Sequence, residues 1–258
     1  MGVRVPYDKL KQDVKQIFLN LGLTEEKAEI CTAVHIQSSA DGVESHGLNR
    51  IPRFVEYVQK GWVNIKGEPQ FAGAKGAVEN YDGQLGIGIT NALFCADRAV
   101  ELAKKHGIGC VALKNTTHWM RGATYVWKMA EAGFMGMSWI NAESCMPLWG
   151  SDKRSGNNPF CMAIPREDGP LILDMAMSLY AYGKLGVYRL AGKQLPYPGG
   201  FDKDGNLTCD PGAIEETMRG LPMGYWKGSG MALALDMAAA LMANGMSGTD
   251  MDIQAKGS

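Results

Sequence analysis

Residues 86–113 run GIGITNALFCADRAVELAKKHGIGCVAL, and their pattern decides the fold class. Gly86-Ile87-Gly88-Ile89 is an apolar lead-in, and Thr90 has a side-chain oxygen suited to capping a helix N-terminus. Ala92, Ala96, Ala99, Val100 and Ala103 then recur at helical spacing. Gly107 stops the run, since glycine adopts the left-handed C-cap conformation without a Cβ clash. Gly109-Cys110-Val111-Ala112-Leu113 follows as a buried strand. A second helix is predicted near Tyr125–Ala132, ended by Gly133, and another strand over Met135–Ile140. Strand, helix and strand in this order make a crossover unit, so the class is α/β with a mixed sheet flanked by helices.

Upstream the chain reads as helices. Leu10, Val14, Ile17, Phe18 and Leu21 share one face, and Gly22 ends it. Thr24 caps a second helix, with Glu25 and Glu26 near its positive end and Ala28, Cys31, Val34 and His35 along one side. A third helix is predicted from Asn49 to Lys60, with Pro52 in its first turn. After residue 65 short apolar runs alternate with turns. Further strands are predicted at Phe160–Ile164 and Leu171–Asp174. Residues 192–212, rich in Gly, Pro, Asp and Asn, read as a long surface excursion. A last helix from Ser229 carries Met231, Leu233, Leu235, Met237, Ala240 and Leu241 and ends at Gly245. It is apolar on most sides, which predicts burial. No closing element is expected after it, and the natural chain is expected to continue past Ser258. The division drawn on these patterns is a helical region at 1–72, joined by the C-terminal helix 229–258, and a mixed-sheet domain at 73–228.

The 258 residues carry 26 basic and 27 acidic side chains, with no basic tail or stripe, so nucleic acid is not an expected partner. No stretch has about 18 uninterrupted apolar residues, and the N-terminus has no apolar leader, so neither a membrane span nor a signal peptide is expected. Six cysteines, none in C-x-x-C spacing, read as buried thiols in a reducing cytoplasm.

The chain has no G-x-G-x-x-G, no phosphate-binding G-x-x-x-x-G-K-[ST] and no G-x-S-x-G elbow. No H-x-x-x-H or Cys/His cluster supplies metal ligands, so no metal site is expected. Four histidines limit the choice of acid or base. His35 sits mid-helix on an apolar face and reads as structural; His106, before Gly107, complements a helix C-terminus. His46 lies in the polar loop Asp41-Gly42-Val43-Glu44-Ser45-His46-Gly47-Leu48-Asn49-Arg50. Arg50 can set a guanidinium beside the imidazole, a fork suited to a carboxylate. A loop histidine satisfied by backbone is the alternative. His118, in Thr116-Thr117-His118-Trp119-Met120-Arg121-Gly122, follows a strand end, where α/β folds commonly bind ligands. Asp174 closes an apolar strand and reads either as a ribose acceptor or as a buried, satisfied carboxylate. Gly224-Tyr225-Trp226-Lys227-Gly228-Ser229-Gly230 opens the last helix, where N–H groups can face a phosphate or simply enter the helix.

Taken together these segments resemble the malate/L-lactate dehydrogenase family of non-Rossmann oxidoreductases. The matching pieces are Ser45-His46-Gly47-x-x-Arg50-x-Pro52-Arg53-Phe54, His118-Trp119-Met120-Arg121-Gly122, Asn158-Pro159, Leu173-Asp174-Met175-Ala176 and Trp226-Lys227-Gly228-Ser229-Gly230, in the family's order from Tyr7 to Gly245. Within the family, His118–Gly122, Arg189–Pro196 and Leu221–Met231 resemble a branch that reduces a keto sugar acid. The resemblance implies a non-Rossmann mixed sheet of the L-sulfolactate/malate dehydrogenase type and His46 as proton donor. It also implies cofactor contacts from Pro170, Leu171, Ile172, Leu173, Asp174, Met175, Ala176, Trp226 and Lys227. Arg50 is assigned to the substrate carboxylate, and His118 and Arg121 to the substrate pocket or, alternatively, to orienting the nicotinamide amide. The implied cofactor is NAD, with NADH preferred and NADPH as alternative; the implied partners are a small keto acid and a second copy in a homodimer. Alternatives are the same fold acting on another 2-keto acid, and a non-catalytic dinucleotide or sugar-acid binder. Two departures from the family pattern are Asn157 for the threonine of Gly-Thr-Asn-Pro and Ala123 for a glycine.

Overall fold

The computed structural model describes residues 4–148 and 152–257, in two compact units with their boundary between Tyr125 and Val126. In the first, α1 (Tyr7–Asn20), α2 (Glu25–Ala40) and α3 (Ile51–Gln59) surround one core. Val14 and Phe18 of α1, Cys31 and Val34 of α2, and Ile51 and Phe54 of α3 are buried together. Thr24 Oγ1 accepts from the Lys27 N–H at 3.3 Å, the expected N-cap of α2. Two 3-10 turns, Glu44–His46 and Leu48–Arg50, join α2 to α3.

β1 (Gln70–Lys75) pairs antiparallel with β2 (Val78–Gly86), and β3 (Cys110–Thr116) pairs parallel with β2. A parallel pair needs a crossover, supplied by α4 (Gly88–His106). Thr90 does not cap it. The helix begins two residues earlier, and Thr90 Oγ1 donates back to Ile87 O at 3.0 Å. Gly107, at φ +81°, closes it as expected. Ile87, Ile89 and Met120 sink into the same core as α1–α3.

α5 (Ala123–Glu131) leads into the second unit, and Ala123 is buried at its start. β4 (Gly136–Trp139) precedes the small pair β5 (Met146–Pro147) and β6 (Lys153–Ser155), then β7 (Phe160–Ile164) and β8 (Leu171–Met175). The antiparallel sheet has the order β4-β7-β8, so β4 does not share a sheet with β3 and the crossover expected through α5 does not form. α6 (Tyr182–Leu190), the hairpin of β9 (Gly200–Phe201) and β10 (Leu207–Thr208), and α7 (Pro211–Thr217) follow. α8 (Trp226–Ala243) and α9 (Gly248–Gly257) complete the unit.

Three expectations are corrected in this unit. Residues 192–212 are not a bare excursion: Leu195 is buried with Leu185 and Ile214, and Asp210 caps α7 by accepting from the Gly212 N–H at 2.8 Å. α8 starts at Trp226 rather than Ser229 and is not buried all round. It buries Ala232 and Leu235 against Met146 and Met177, but Met237 is 56% and Leu241 78% exposed. Finally, a closing element exists. Asp236 of α8 accepts from the Gly248 N–H at 2.9 Å, which fixes the start of α9. Its polar sequence gave no apolar signal. None of the six cysteines is in a disulfide, and Cys31, Cys145 and Cys161 are buried. Among the described residues no helix is long and apolar enough to cross a membrane.

Candidate active site

The loop after α2 is pressed onto that helix. Ser39 Oγ accepts from the Leu48 N–H at 2.9 Å, and a Cβ at Gly47 would lie 2.0 Å from the same oxygen. Only glycine permits that approach. The 3-10 turns are closed by His46 N–H to Val43 O (3.1 Å) and Arg50 N–H to Gly47 O (3.0 Å). Two side chains are thereby aimed at one residue. His46 Nδ1 lies 2.9 Å from Ser45 Oγ, and Arg50 Nε donates to the Ser45 carbonyl at 2.9 Å.

The second loop leaves the end of β3. Thr117 Oγ1 donates to Gly86 O at 2.8 Å and accepts from the Gly88 N–H at 3.0 Å. A Cβ at Gly88 would lie 2.2 Å from Thr117 O and 2.4 Å from His118 O, so this loop rides directly on the first turn of α4. Met120 sits at φ +65°, a left-handed conformation rare for its type. That turn directs the Met120 N–H onto His118 Nδ1 at 2.9 Å. Trp119 stacks on Tyr125 at 5.3 Å, and the Tyr125 hydroxyl donates to Trp119 O. Arg121 forms an ion pair with Asp41 at the end of α2.

The two loops bring His46 and His118 together, nearly parallel, with ring centroids 5.8 Å apart. His118 keeps an exposed edge, but protein packed around the ring desolvates its charged form. The Arg50 guanidinium, His46 and the Arg53 guanidinium add repulsion, so its pKa lies well below the ordinary histidine value. The ring is neutral at physiological pH. A backbone N–H can only donate, so Nδ1 accepts from Met120 and the proton is assigned to Nε2. Burial and then Arg53 lower the Arg50 pKa, but a guanidinium stays charged. Arg121 holds the Asp41 carboxyl below the usual range.

In the second unit, residues 171–175 form β8, with Pro170 before it and Ala176 after it. Asp174 is exposed and accepts from the Cys161 thiol at 3.3 Å, so the buried-carboxylate reading of Asp174 does not hold. Burial raises the Cys161 pKa and keeps that thiol protonated. Trp226 and Lys227 are exposed in the first turn of α8, behind Tyr225 at φ +57°; no side chain caps this helix. The Met223 N–H donates to Met177 O at 2.7 Å, and Ser178 bridges to Pro222, so the 170–176 and 226–227 stretches are neighbours. Asn158 is a strut: its amide oxygen accepts from Ala142 N–H (3.0 Å) and its nitrogen donates to Ala232 O (2.8 Å).

The sequence-predicted residues therefore fall into two groups. His46, Arg50, His118 and Arg121 gather in the first unit, and the predicted cofactor contacts gather in the second. His35 is buried in the core as expected, with Nδ1 against Cys31 O at 2.7 Å and its ring 5.4 Å from Phe18. Sequence reasoning missed Ser45 as a partner of both His46 and Arg50, Met120 as the group that orients His118, and Asp41 as the anion of Arg121. Among the described residues no three His, Cys, Asp or Glu side chains gather as metal ligands.

Comparison with known proteins adds a family. The family described as malate/L-lactate dehydrogenase matches residues 5–258. The 2,3-diketo-L-gulonate reductase of Klebsiella pneumoniae (strain 342) is 46% identical over 246 residues, which covers 95% of this chain and 74% of that protein. Among solved structures, malate dehydrogenase from Entamoeba histolytica superposes with a TM-score of 0.95 at 24% identity, covering 100% of this chain and 76% of that one. Delta1-piperideine-2-carboxylate reductase from Pseudomonas syringae pvar. tomato superposes with a TM-score of 0.90 at 27% identity, covering 98% and 77%.

Proposed function

The chain belongs to the malate/L-lactate dehydrogenase family, and from that premise we propose that it reduces the C2 keto group of 2,3-diketo-L-gulonate to 3-dehydro-L-gulonate, with NADH preferred over NADPH. The 46% identity to a reductase of that name supports the substrate, and the family supports a nicotinamide cofactor. The observation that carries the chemistry is the imidazole pair. One ring is held neutral, and the other rests on a hydroxyl whose own backbone carbonyl anchors a guanidinium.

The residues of the second unit fit a dinucleotide. The first turn of α8 has no side-chain cap and an exposed Lys227, which suits a pyrophosphate. Exposed Leu171 and Leu173 suit a ring face, and the exposed Asp174 carboxylate suits ribose hydroxyls. When bound, the reduced nicotinamide supplies a hydride to C2. His46, as the imidazolium, gives its Nε2 proton to the oxygen that becomes the hydroxyl, a role worth about 10²–10⁴-fold. Arg50 holds the substrate carboxylate and fixes the position of C2. His118 donates from Nε2 to a substrate oxygen without changing its charge. Arg121, held by Asp41, lines the same pocket. The working form is a homodimer in the cytoplasm, a reading supported by the exposed apolar side chains of α8 and by six reduced cysteines.

The test is NADH consumption with a panel: 2,3-diketo-L-gulonate, oxaloacetate, pyruvate, sulfopyruvate and delta1-piperideine-2-carboxylate. The diketo acid should lead in kcat/KM by at least about 10-fold, the discrimination a few polar contacts supply. A different leader changes the substrate and keeps the reaction. NADH binding with no turnover on any of them removes the catalytic reading.

A further inference from the structure

Ser45 meets the two central side chains of the first unit with different atoms. Its hydroxyl oxygen is 2.9 Å from His46 Nδ1, and its carbonyl oxygen accepts from Arg50 Nε at 2.9 Å. We propose that Ser45 is the positioning residue of this site, its hydroxyl selecting which nitrogen of His46 exchanges the proton and its carbonyl setting the Arg50 guanidinium. The proposal rests on the reading of His46 as proton donor.

The chemistry follows from the count of protons. An imidazolium carries an N–H at both nitrogens, and the one at Nδ1 needs an acceptor. Ser45 Oγ is in place to be that acceptor. Loss of the Nε2 proton to the substrate oxygen leaves a neutral ring whose Nδ1–H still bonds the same oxygen. No heavy atom moves, and Nε2 alternates between N–H and lone pair. A carboxylate in this place would stabilise the imidazolium and raise its pKa, which makes the proton harder to give up. A neutral hydroxyl orients the ring without that bias. The titratable and charged groups acting on His118 are Arg50 and Arg53 from the start of α3, His46 from the first loop, and His35 from α2.

The carbonyl contact gives the proposal its discriminating test. Ser45→Ala removes the hydroxyl and keeps the carbonyl that holds Arg50. It should lower kcat by about 10-fold while KM for the keto acid and Kd for NADH stay within about threefold. Ser45→Thr, which keeps a hydroxyl, should recover most of the loss. In nitrogen NMR of the cofactor-free protein, the neutral His46 ring should be the Nδ1–H form in the natural protein and lose that preference in Ser45→Ala. Ser45→Asp should move the pH profile of kcat/KM to higher pH. If Ser45→Ala does not fold, Ser45→Cys, similar in size with a poor acceptor, carries the same expectations. Wild-type kcat and an unchanged tautomer in Ser45→Ala, or an equal loss in kcat and in both binding constants, overturns the proposal. Wild-type turnover in His46→Asn sinks the parent reading instead, and the two failures are told apart by which variant is silent.

Discussion

The loops that carry His46 and His118 hold the same ring by opposite means. His46 rests on a serine hydroxyl, which can accept from an N–H or donate to a lone pair. His118 rests on the Met120 backbone N–H, which can only donate. A partner of the first kind keeps its hydrogen bond whether Nδ1 carries a proton or not. The second ring cannot take a proton at Nδ1 without breaking its bond, and crowding and two guanidiniums oppose the charge as well. The two imidazoles lie 5.8 Å apart, and in the proposed function their different partners give them separate tasks: one carries the proton, the other donates a hydrogen bond.

The strongest way to break this comparison is to remove the proposed proton carrier. His46→Ala should lower kcat by about 10²–10⁴-fold with NADH affinity nearly unchanged, read by steady-state assay and cofactor titration. Next comes the clamp. Arg50→Lys loses the planar fork and the Nε contact to Ser45, and should raise KM for the keto acid by roughly 10-fold or more with a smaller effect on kcat.

Smaller effects sharpen the contrast with the core histidine. His35 is fully buried and its pKa is lowered by that burial, so the native state binds fewer protons than the unfolded chain. Its share of stability is complete above the unfolded pKa of about 6.5 and is lost as pH falls toward the lower folded value, at up to about 1.4 kcal/mol per pH unit. Urea midpoints at mildly acidic and neutral pH should converge in His35→Gln. Least of all, Asp41→Asn releases Arg121 from a partly exposed pair and should cost about 1 kcal/mol or less in thermal unfolding, because solvent screens such pairs.

The periodicity of residues 109–140 predicts a crossover through α5, but β4 pairs with β7 in another sheet, and the crossover is instead α4, between β2 and β3; β2, with Glu79, Asn80 and Asp82, has no apolar run to announce it. The start of α4 was misplaced because Thr90 looks like a cap in one dimension, while its hydroxyl turns back to Ile87 O inside the first turn. α8 was read as buried because apolar residues surround it, and that pattern names no face. His46 and His118 were visible as candidates by elimination among four histidines. Their partners were not. Asp41 lies far from Arg121 in sequence, and the Met120 contact depends on a left-handed backbone that no methionine announces. Ser45 adjoins His46, yet nothing in a Ser-His pair says which atom faces which.

The most direct measurement is nitrogen NMR of the histidine rings across pH in the cofactor-free protein, with assignments from His46→Asn and His118→Asn. The neutral Nε2–H form of His118 should persist to about pH 5, below the ordinary histidine range. A His118 ring that takes up its proton near pH 6.5, or that is neutral with its proton on Nδ1, contradicts the division of roles between the two loops.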